Sequence, residues 1–288
     1  MILETRISKP KDIPRQRELW QLAFGDDGAY VDNFYDTCYR PERMLMLEED
    51  GVVQAMTAWF DTVFAVPGQG EYRAAYLYAV ATHPQARGRG LAGRLLADAD
   101  GFFRAWGIPA VTTVPAEPSL HQFFGRNGFR ECFVHGEQKY QPGNSVEMPA
   151  GEAPRLDRLT AADYRGLRET RLAGIPHIAL SKEAVCYQAG ASALTPGGGL
   201  YALEAPHGVA VLCAEGMENG ALLVKELLAA PGDLDWVLGW LSRLLPAWSG
   251  IYRTPNGEIP FGMLKWLSPE RERSWDWSST AYLGLAFD

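Results

Sequence analysis

Apolar and polar positions along the first 135 residues switch between a period of two and a period near 3.6, and the switches predict the elements. Residues 3–7 alternate as a short strand. A helix start at 8–12 leads into Ile13, Leu19, Trp20 and Ala23 at helical spacing, and Asp26-Asp27-Gly28 stops that helix. A second helix runs through Phe34, Tyr35 and Cys38. Residues 44–48, the turn Glu49-Asp50-Gly51 and residues 52–60 read as a hairpin. Strands at 63–66 and 72–82 follow. A Gly-rich turn at 85–90 leads into 91–106, where Leu91, Leu95, Leu96, Ala99, Phe102 and Phe103 form one apolar helix face. A buried strand at 110–114, a helix at 119–127 stopped by Gly128, and a strand at 129–135 complete an α/β unit.

Pro, Gly, Asn and Ser then crowd residues 141–154, which sets a first domain at 1–145 and a linker at 146–154. Residues 155–288 read as a faded second copy. Arg155 to Leu159, with Thr160-Ala161-Ala162-Asp163 and a helix, echoes Arg6-Ile7-Ser8 and its helix. Leu203-Glu204-Ala205-Pro206-His207-Gly208-Val209 echoes Leu47-Glu48-Glu49-Asp50-Gly51-Val52. A long strand at 221–228, a helix at 234–245, a strand at 250–254 and a last strand at 280–287 follow. Trp236, Trp240 and Trp248 are spaced for a buried helix face, whereas Trp275-Asp276-Trp277 sits among polar residues as an exposed aromatic loop.

The length of 288 residues agrees with two domains, and 47% hydrophobic with 22% charged residues excludes a disordered chain, a collagen-like fibre and a disulfide-stapled miniprotein. Twenty-seven Lys and Arg against 35 Asp and Glu give a net charge of −8, which argues against a nucleic-acid partner and suits a cationic one. Cys38, Cys132, Cys186 and Cys213 show no metal-ligand spacing, so no metal is expected and the thiols read as reduced. The start of the chain lacks a basic-then-apolar leader, and no apolar run approaches the roughly 20 residues of a membrane helix. These features predict a cytoplasmic protein with no membrane partner.

The stretch that carries chemistry is Tyr76-Leu77-Tyr78-Ala79-Val80-Ala81-Thr82-His83-Pro84-Gln85-Ala86-Arg87-Gly88-Arg89-Gly90-Leu91-Ala92. A strand runs into a turn with two glycines and two arginines and then directly into a helix. The first helical N–H groups lack internal partners, the helix dipole is positive there, and glycines let a phosphate approach the backbone. The dinucleotide pattern fails because Gly93 stands at the wrong offset, and a P-loop fails for want of Gly-Lys-Ser/Thr.

Gln85-Ala86-Arg87-Gly88-Arg89-Gly90-Leu91-Ala92 after an apolar strand resembles the acyl-CoA pyrophosphate loop of the GCN5-related N-acetyltransferase (GNAT) superfamily. The stretch from Pro115 through Ser119, Leu120, His121 and Phe123 to Gly128-Phe129 is similar to that superfamily's next strand–helix unit. The faded second copy resembles its tandem members in which one half has lost the cofactor loop: here Ala229-Ala230-Pro231-Gly232-Asp233 replaces the basic turn. The resemblance implies two tandem α/β (α+β) domains with mixed, mainly antiparallel central sheets flanked by helices. It also implies acetyl-CoA as co-substrate, without a metal, and direct attack by a primary amine of a small molecule or peptide.

Residue by residue, it implies that Val80, Ala81 and Thr82 splay from residues 110–114 and bond the pantetheine arm. A backbone N–H near Val80 would stabilise the developing oxyanion by about 3 kcal/mol. Gln85 and the amides of Arg87, Gly88, Arg89, Gly90, Leu91 and Ala92 would hold the pyrophosphate, with Ser119 and Phe123 flanking the lower pantetheine and the sulfur. The superfamily's usual proton donor, a Tyr four residues before the Gly of Gly-Phe, is Phe124 here. Tyr76 and Tyr78, two apart on one strand face, are candidate substitutes. Glu117 and His121 are candidate bases, and in related tandem enzymes the terminal carboxylate, here Asp288, plays that part. Phe124 also keeps open a non-catalytic acyl-CoA-binding or sensing module. An aminoacyl or peptidyl transferase would need to bind charged tRNA, against the acidic balance. The sequence admits a monomer or a homodimer.

Overall fold

The structure, a computed structural model, describes residues 2–140, 154–245 and 250–287. The expected linker at 146–154 falls outside them except for Pro154, as do Trp248 and Asp288.

The amino-terminal half runs β1 (Leu3–Ile7), α1 (Ile13–Phe24), α2 (Gly28–Thr37), β2 (Met44–Glu49), β3 (Val52–Val66), β4 (Gly70–Thr82), α3 (Leu91–Ala105), β5 (Ala110–Thr113), α4 (Pro118–Arg126) and β6 (Arg130–Tyr140). The element order read from periodicity holds here, except that 52–60 and 63–66 are one strand. The other half runs β7 (Leu156–Arg158), α5 (Ala161–Leu172), β8 (His177–Leu180), α6 (Lys182–Ala193), β9 (Gly199–Ala205), β10 (Gly208–Gly216), β11 (Leu222–Leu228), α7 (Leu234–Leu244), β12 (Gly250–Trp266) and α8 (Pro269–Ser274).

Among the described residues the strands join one mixed, mostly antiparallel sheet in the order β1-β2-β3-β4-β5-β12-β11-β10-β9-β7, with β6 on β12 and β8 on β3. Helices α1, α2, α5 and α6 bury Trp20, Phe34, Tyr164 and Tyr187 on one face. On the other, α3 and α4 cover the first half through Leu95, Phe103 and Phe124, and α7 covers the second through Val237 and Leu241. Strand β2 shows the consequence: Met44, Leu45, Met46 and Leu47 are all buried, alternating between the two faces.

The halves are joined by an exchange of strands. The start of β12 pairs in parallel with β11 (Leu222↔Gly250 to Val224↔Tyr252), and its end pairs with β5 of the first half (Met263↔Thr113 to Trp266↔Ala110). Strand β6 lies along the other side of β12 from Tyr140↔Gly250 to Arg130↔Leu264. Each half therefore completes its sheet with a strand from the other. The strand read from the sequence at 250–254 continues in the fold to Trp266. Pro255 lies in the register shift between Thr254 and Ile259, and Pro260, opposite Val134, borders another.

Two further expectations are corrected. Residues 280–287 are not a ladder strand: Ala281 and Tyr282 make single bridges to Phe133 and His177, with backbone hydrogen bonds to Cys132, Val134, Pro176 and Ile178. Trp275 is not in an exposed loop; it is 7% exposed and its ring lies 5.2 Å from Phe64. Trp277 lies under the Arg130 guanidinium at 4.0 Å. Trp240 is core, as its spacing predicts.

Candidate active site

The site grows from one irregularity in β4. Strands β4 and β5 pair in parallel only over Ala74–Tyr76 and Ala110–Thr112, and beyond them no ladder joins the two. On its other side β4 follows β3 until the register slips: Ala58 opposes Tyr78 but Met56 opposes Ala81. The extra residue makes a β-bulge facing Thr57, whose hydroxyl donates to the Tyr78 carbonyl at 3.3 Å. Ala79 takes φ +49°, a left-handed conformation that an L side chain pays about 1 kcal/mol to adopt. The bulge leaves Tyr78 and Ala79 on the α1/α2 face and turns Val80 toward the α3 face. A peptide displaced from the ladder beside an opened strand pair is a polar backbone group available to an extended ligand.

The loop that follows is anchored at both ends. The His83 N–H donates to the Gln54 carbonyl at 2.8 Å, Ala86 is buried, and Leu91 plugs into the core beneath α3. Between the anchors the chain is open. Gln85, Arg87, Gly88, Arg89 and Gly90 are exposed, while Ala92 is half-buried. Gly88 and Gly90 have φ +75° and +77°, and a Cβ at either would meet nothing within 4 Å. No side chain caps α3, whose N-cap is Gly90. The first turn of a 15-residue helix thus has no side-chain cap on its N–H groups, which suits a diphosphate. Arg87 is folded back, its Nε donating to the Thr82 carbonyl at 3.2 Å. Arg89 pairs with Glu49, the last residue of β2, at 2.9 Å.

The candidates on α4 are engaged separately. Glu117 is the extended N-cap residue and accepts from the Ser119 hydroxyl. His121 Nδ1 lies 2.7 Å from Glu131 at the start of β6. The helix begins at Pro118, after Glu117, and Glu117 and His121 each have their own partner. Phe123 is half-buried beside Val80's cluster. Phe124 is 5% exposed, its ring 5.4 Å from Phe129, so the position of the usual donor is part of the core.

Tyr76 and Tyr78 share the opposite face, as their spacing predicts, but differ in role. Tyr76 is buried and stacks on Phe287 at 5.5 Å and 27°. Tyr78 is half-buried, with its ring 5.4 Å from Trp20. Its hydroxyl shares hydrogen bonds with Tyr30 of α2 at 3.0 Å and Tyr187 of α6 at 2.7 Å. Burial holds the Tyr78 phenol well above its ordinary pKa. Tyr30 and Tyr187 were invisible to sequence reasoning because they stand 48 and 109 residues from Tyr78.

Residues 4–131 match the family model of the acetyltransferase (GNAT) domain. This stretch is a GNAT domain. The fold of the whole chain is that of solved N-acetyltransferases. A GCN5-related N-acetyltransferase from Anabaena variabilis aligns at TM-score 0.70 and 13% identity over 93% of this chain and 73% of its own. Another from Kribbella flavida gives 0.67 and 18% over 91% and 70%. Eis1 from Mycobacterium abscessus gives 0.69 and 13% over 92% and 74%. No curated protein matches the chain.

In the carboxy-terminal half β11 and α7 follow the same sequence of bulged strand, turn and helix as β4 and α3, with inverted chemistry at the loop. Its register also slips, between Cys213↔Glu226 and Ala214↔Val224, so Lys225 is the bulged residue of β11. Strand β11 again leads to a helix preceded by a left-handed glycine, Gly232 at φ +89°. At the N-cap of α7, however, stands Asp233, whose carboxylate accepts from the His207 N–H at 3.0 Å and lies 2.6 Å from its Nδ1. The first half clasps its hairpin turn with a cation on the loop; the second uses an anion. Hydrogen bonding to His207 holds Asp233 below the usual carboxylate range against the opposing effect of its burial, which keeps a negative charge where a phosphate would come. Among the described residues no cluster of His, Cys, Asp or Glu could hold a metal ion, and no helix is long and apolar enough to cross a membrane.

Proposed function

We propose that the GNAT domain transfers the acetyl group of acetyl-CoA to a primary amine of a small molecule or peptide, and that the second half is a degenerate copy that shapes the acceptor side. The observation that carries the reading is the combination of a bulged, splayed β4 with an uncapped α3 behind Gly88 and Gly90. Acetyl-CoA would bring the activated thioester; the chain supplies its seat. The opened edge of β4 at Val80, Ala81 and Thr82 would take the pantetheine arm as an added strand. Gln85 and residues Arg87 to Ala92 would hold the diphosphate. Ser119 and Phe123 of α4 would border the lower arm. The backbone at Ala79–Val80 would direct an N–H toward the thioester oxygen, where a preorganised donor contributes about 3 kcal/mol to the barrier. Tyr78 is the catalytic candidate best supported by its position next to the bulge. Glu117 and His121 border the α4 side, each already hydrogen-bonded.

A non-catalytic acyl-CoA sensor is favoured by one observation, the burial of Phe124 where a donor would stand. Thiol release from acetyl-CoA, followed with polyamines, aminoglycosides and peptides as acceptors, separates the readings. Release that depends on the amine supports transfer. Micromolar acetyl-CoA binding with no release across the panel supports the sensor.

A further inference from the structure

We infer that Tyr187 of the carboxy-terminal half, with Tyr30, positions the Tyr78 hydroxyl as the proton-accepting group for the attacking amine, so that the second half completes the active site of the first. The inference rests on the transferase reading above. Three phenols from α2, β4 and α6 meet with Tyr78 in the middle, 3.0 Å from Tyr30 and 2.7 Å from Tyr187, and either oxygen of each pair can donate. Tyr78 stands immediately before the bulged Ala79, on the face opposite the α3 core.

Tyr187 is fully buried and fixed by its surroundings: its ring lies 6.0 Å from Phe60 and 5.5 Å from Phe287, and its carbonyl accepts from Asn33 Nδ2 at 2.8 Å. Tyr30 is half-buried. A hydroxyl held on two sides keeps one acceptor position for a third partner. As the amine forms the new C–N bond and the C–S bond breaks, the electron pair leaves on sulfur. The nitrogen gives one proton to the Tyr78 oxygen while Tyr78 passes its own proton to Tyr30, which releases one to water. Each oxygen gains a proton as it loses one, so no phenolate forms. That agrees with the upward pKa displacement of all three phenols, which burial causes. The charged groups that reach this cluster are Asp26, bonded to Trp20 Nε1 at 2.7 Å, and Lys225 of the second bulge.

The test measures thiol release from acetyl-CoA with propylamine as acceptor, from about pH 6 to 10, for wild type, Tyr78→Phe, Tyr187→Phe and Tyr30→Phe. Acetyl-CoA affinity and unfolding midpoints are read alongside. These variants remove an oxygen and keep the ring. Tyr78→Phe and Tyr187→Phe should lower kcat roughly tenfold to a hundredfold and move the acid limb of the profile to higher pH, with acetyl-CoA affinity unchanged. A Tyr187→Phe variant with wild-type kcat and pH profile overturns the inference and leaves the transferase reading standing. Absence of thiol release from wild type on any amine removes both.

Discussion

The Arg89 guanidinium lies 2.9 Å from the Glu49 carboxylate, tying the phosphate-loop turn to the β2–β3 hairpin. Glu49 therefore both positions the cation and opposes the anion that the loop would bind. Replacing it with Gln should tighten acetyl-CoA roughly threefold at low salt, with the gain shrinking as ionic strength rises. Calorimetric titration at two salt concentrations reads this, and an unchanged Kd would place the pair outside the reach of the diphosphate.

Gly88 stands at φ +75° with open space beyond it. A Gly88→Glu, Arg87→Ala double variant adds a negative charge to the cradle and removes a positive one. Acetyl-CoA affinity should fall by at least about tenfold, while the backbone strain costs stability of only about 1 kcal/mol. Equal affinity for the variant and wild type would move the coenzyme elsewhere.

Arg168 and Glu226 are both fully buried, 3.0 Å apart, and Arg168 also donates to the Ile178 and Leu283 carbonyls at 2.8 and 2.9 Å. The pair thus fastens α5 to β11 and to the segment bearing Phe287. Arg168→Met leaves a buried carboxylate without its cation and should cost about 3–5 kcal/mol in urea denaturation. Arg168→Met with Glu226→Leu should recover much of that loss.

Asp12 accepts from Arg6 at 2.7 Å and from the Lys9 N–H at 2.7 Å, and the Arg6 hydrogen bond holds it below the usual carboxylate range. Its folded pKa lies beneath the unfolded value, so its stabilisation is complete above about pH 4 and disappears as pH falls through the folded value. Asp12→Asn should cost about 1–2 kcal/mol near neutrality and flatten the acid side of the stability curve. Chemical denaturation at a series of pH values between about 2 and 7 provides the comparison.

Strand β5 is completed by β12, so residues 1–145 alone lack the strand that pairs with Ala110–Thr113 and with β6. That fragment should show broad, non-cooperative melting and poor amide dispersion, and adding residues 155–288 in trans should restore both. A sharply folded fragment would show that the exchange is dispensable.

The sequence by itself determined the amino-terminal elements and the anion cradle. Both are written in local signals: Leu91, Leu95, Leu96, Ala99 and Phe103 repeat at helical spacing, and Gly88 and Gly90 supply left-handed turns beside a helix start. Tertiary structure decided what depends on distant partners. Trp275 looked exposed among polar neighbours, yet Phe64 and Trp266 cover it. The strand read at 250–254 runs on to Trp266 because β6 and β5 pair along it through register shifts. Tyr78 gained two hydroxyl partners from helices far along the chain. Periodicity encodes which face of an element is apolar; it carries no record of which element that face will meet.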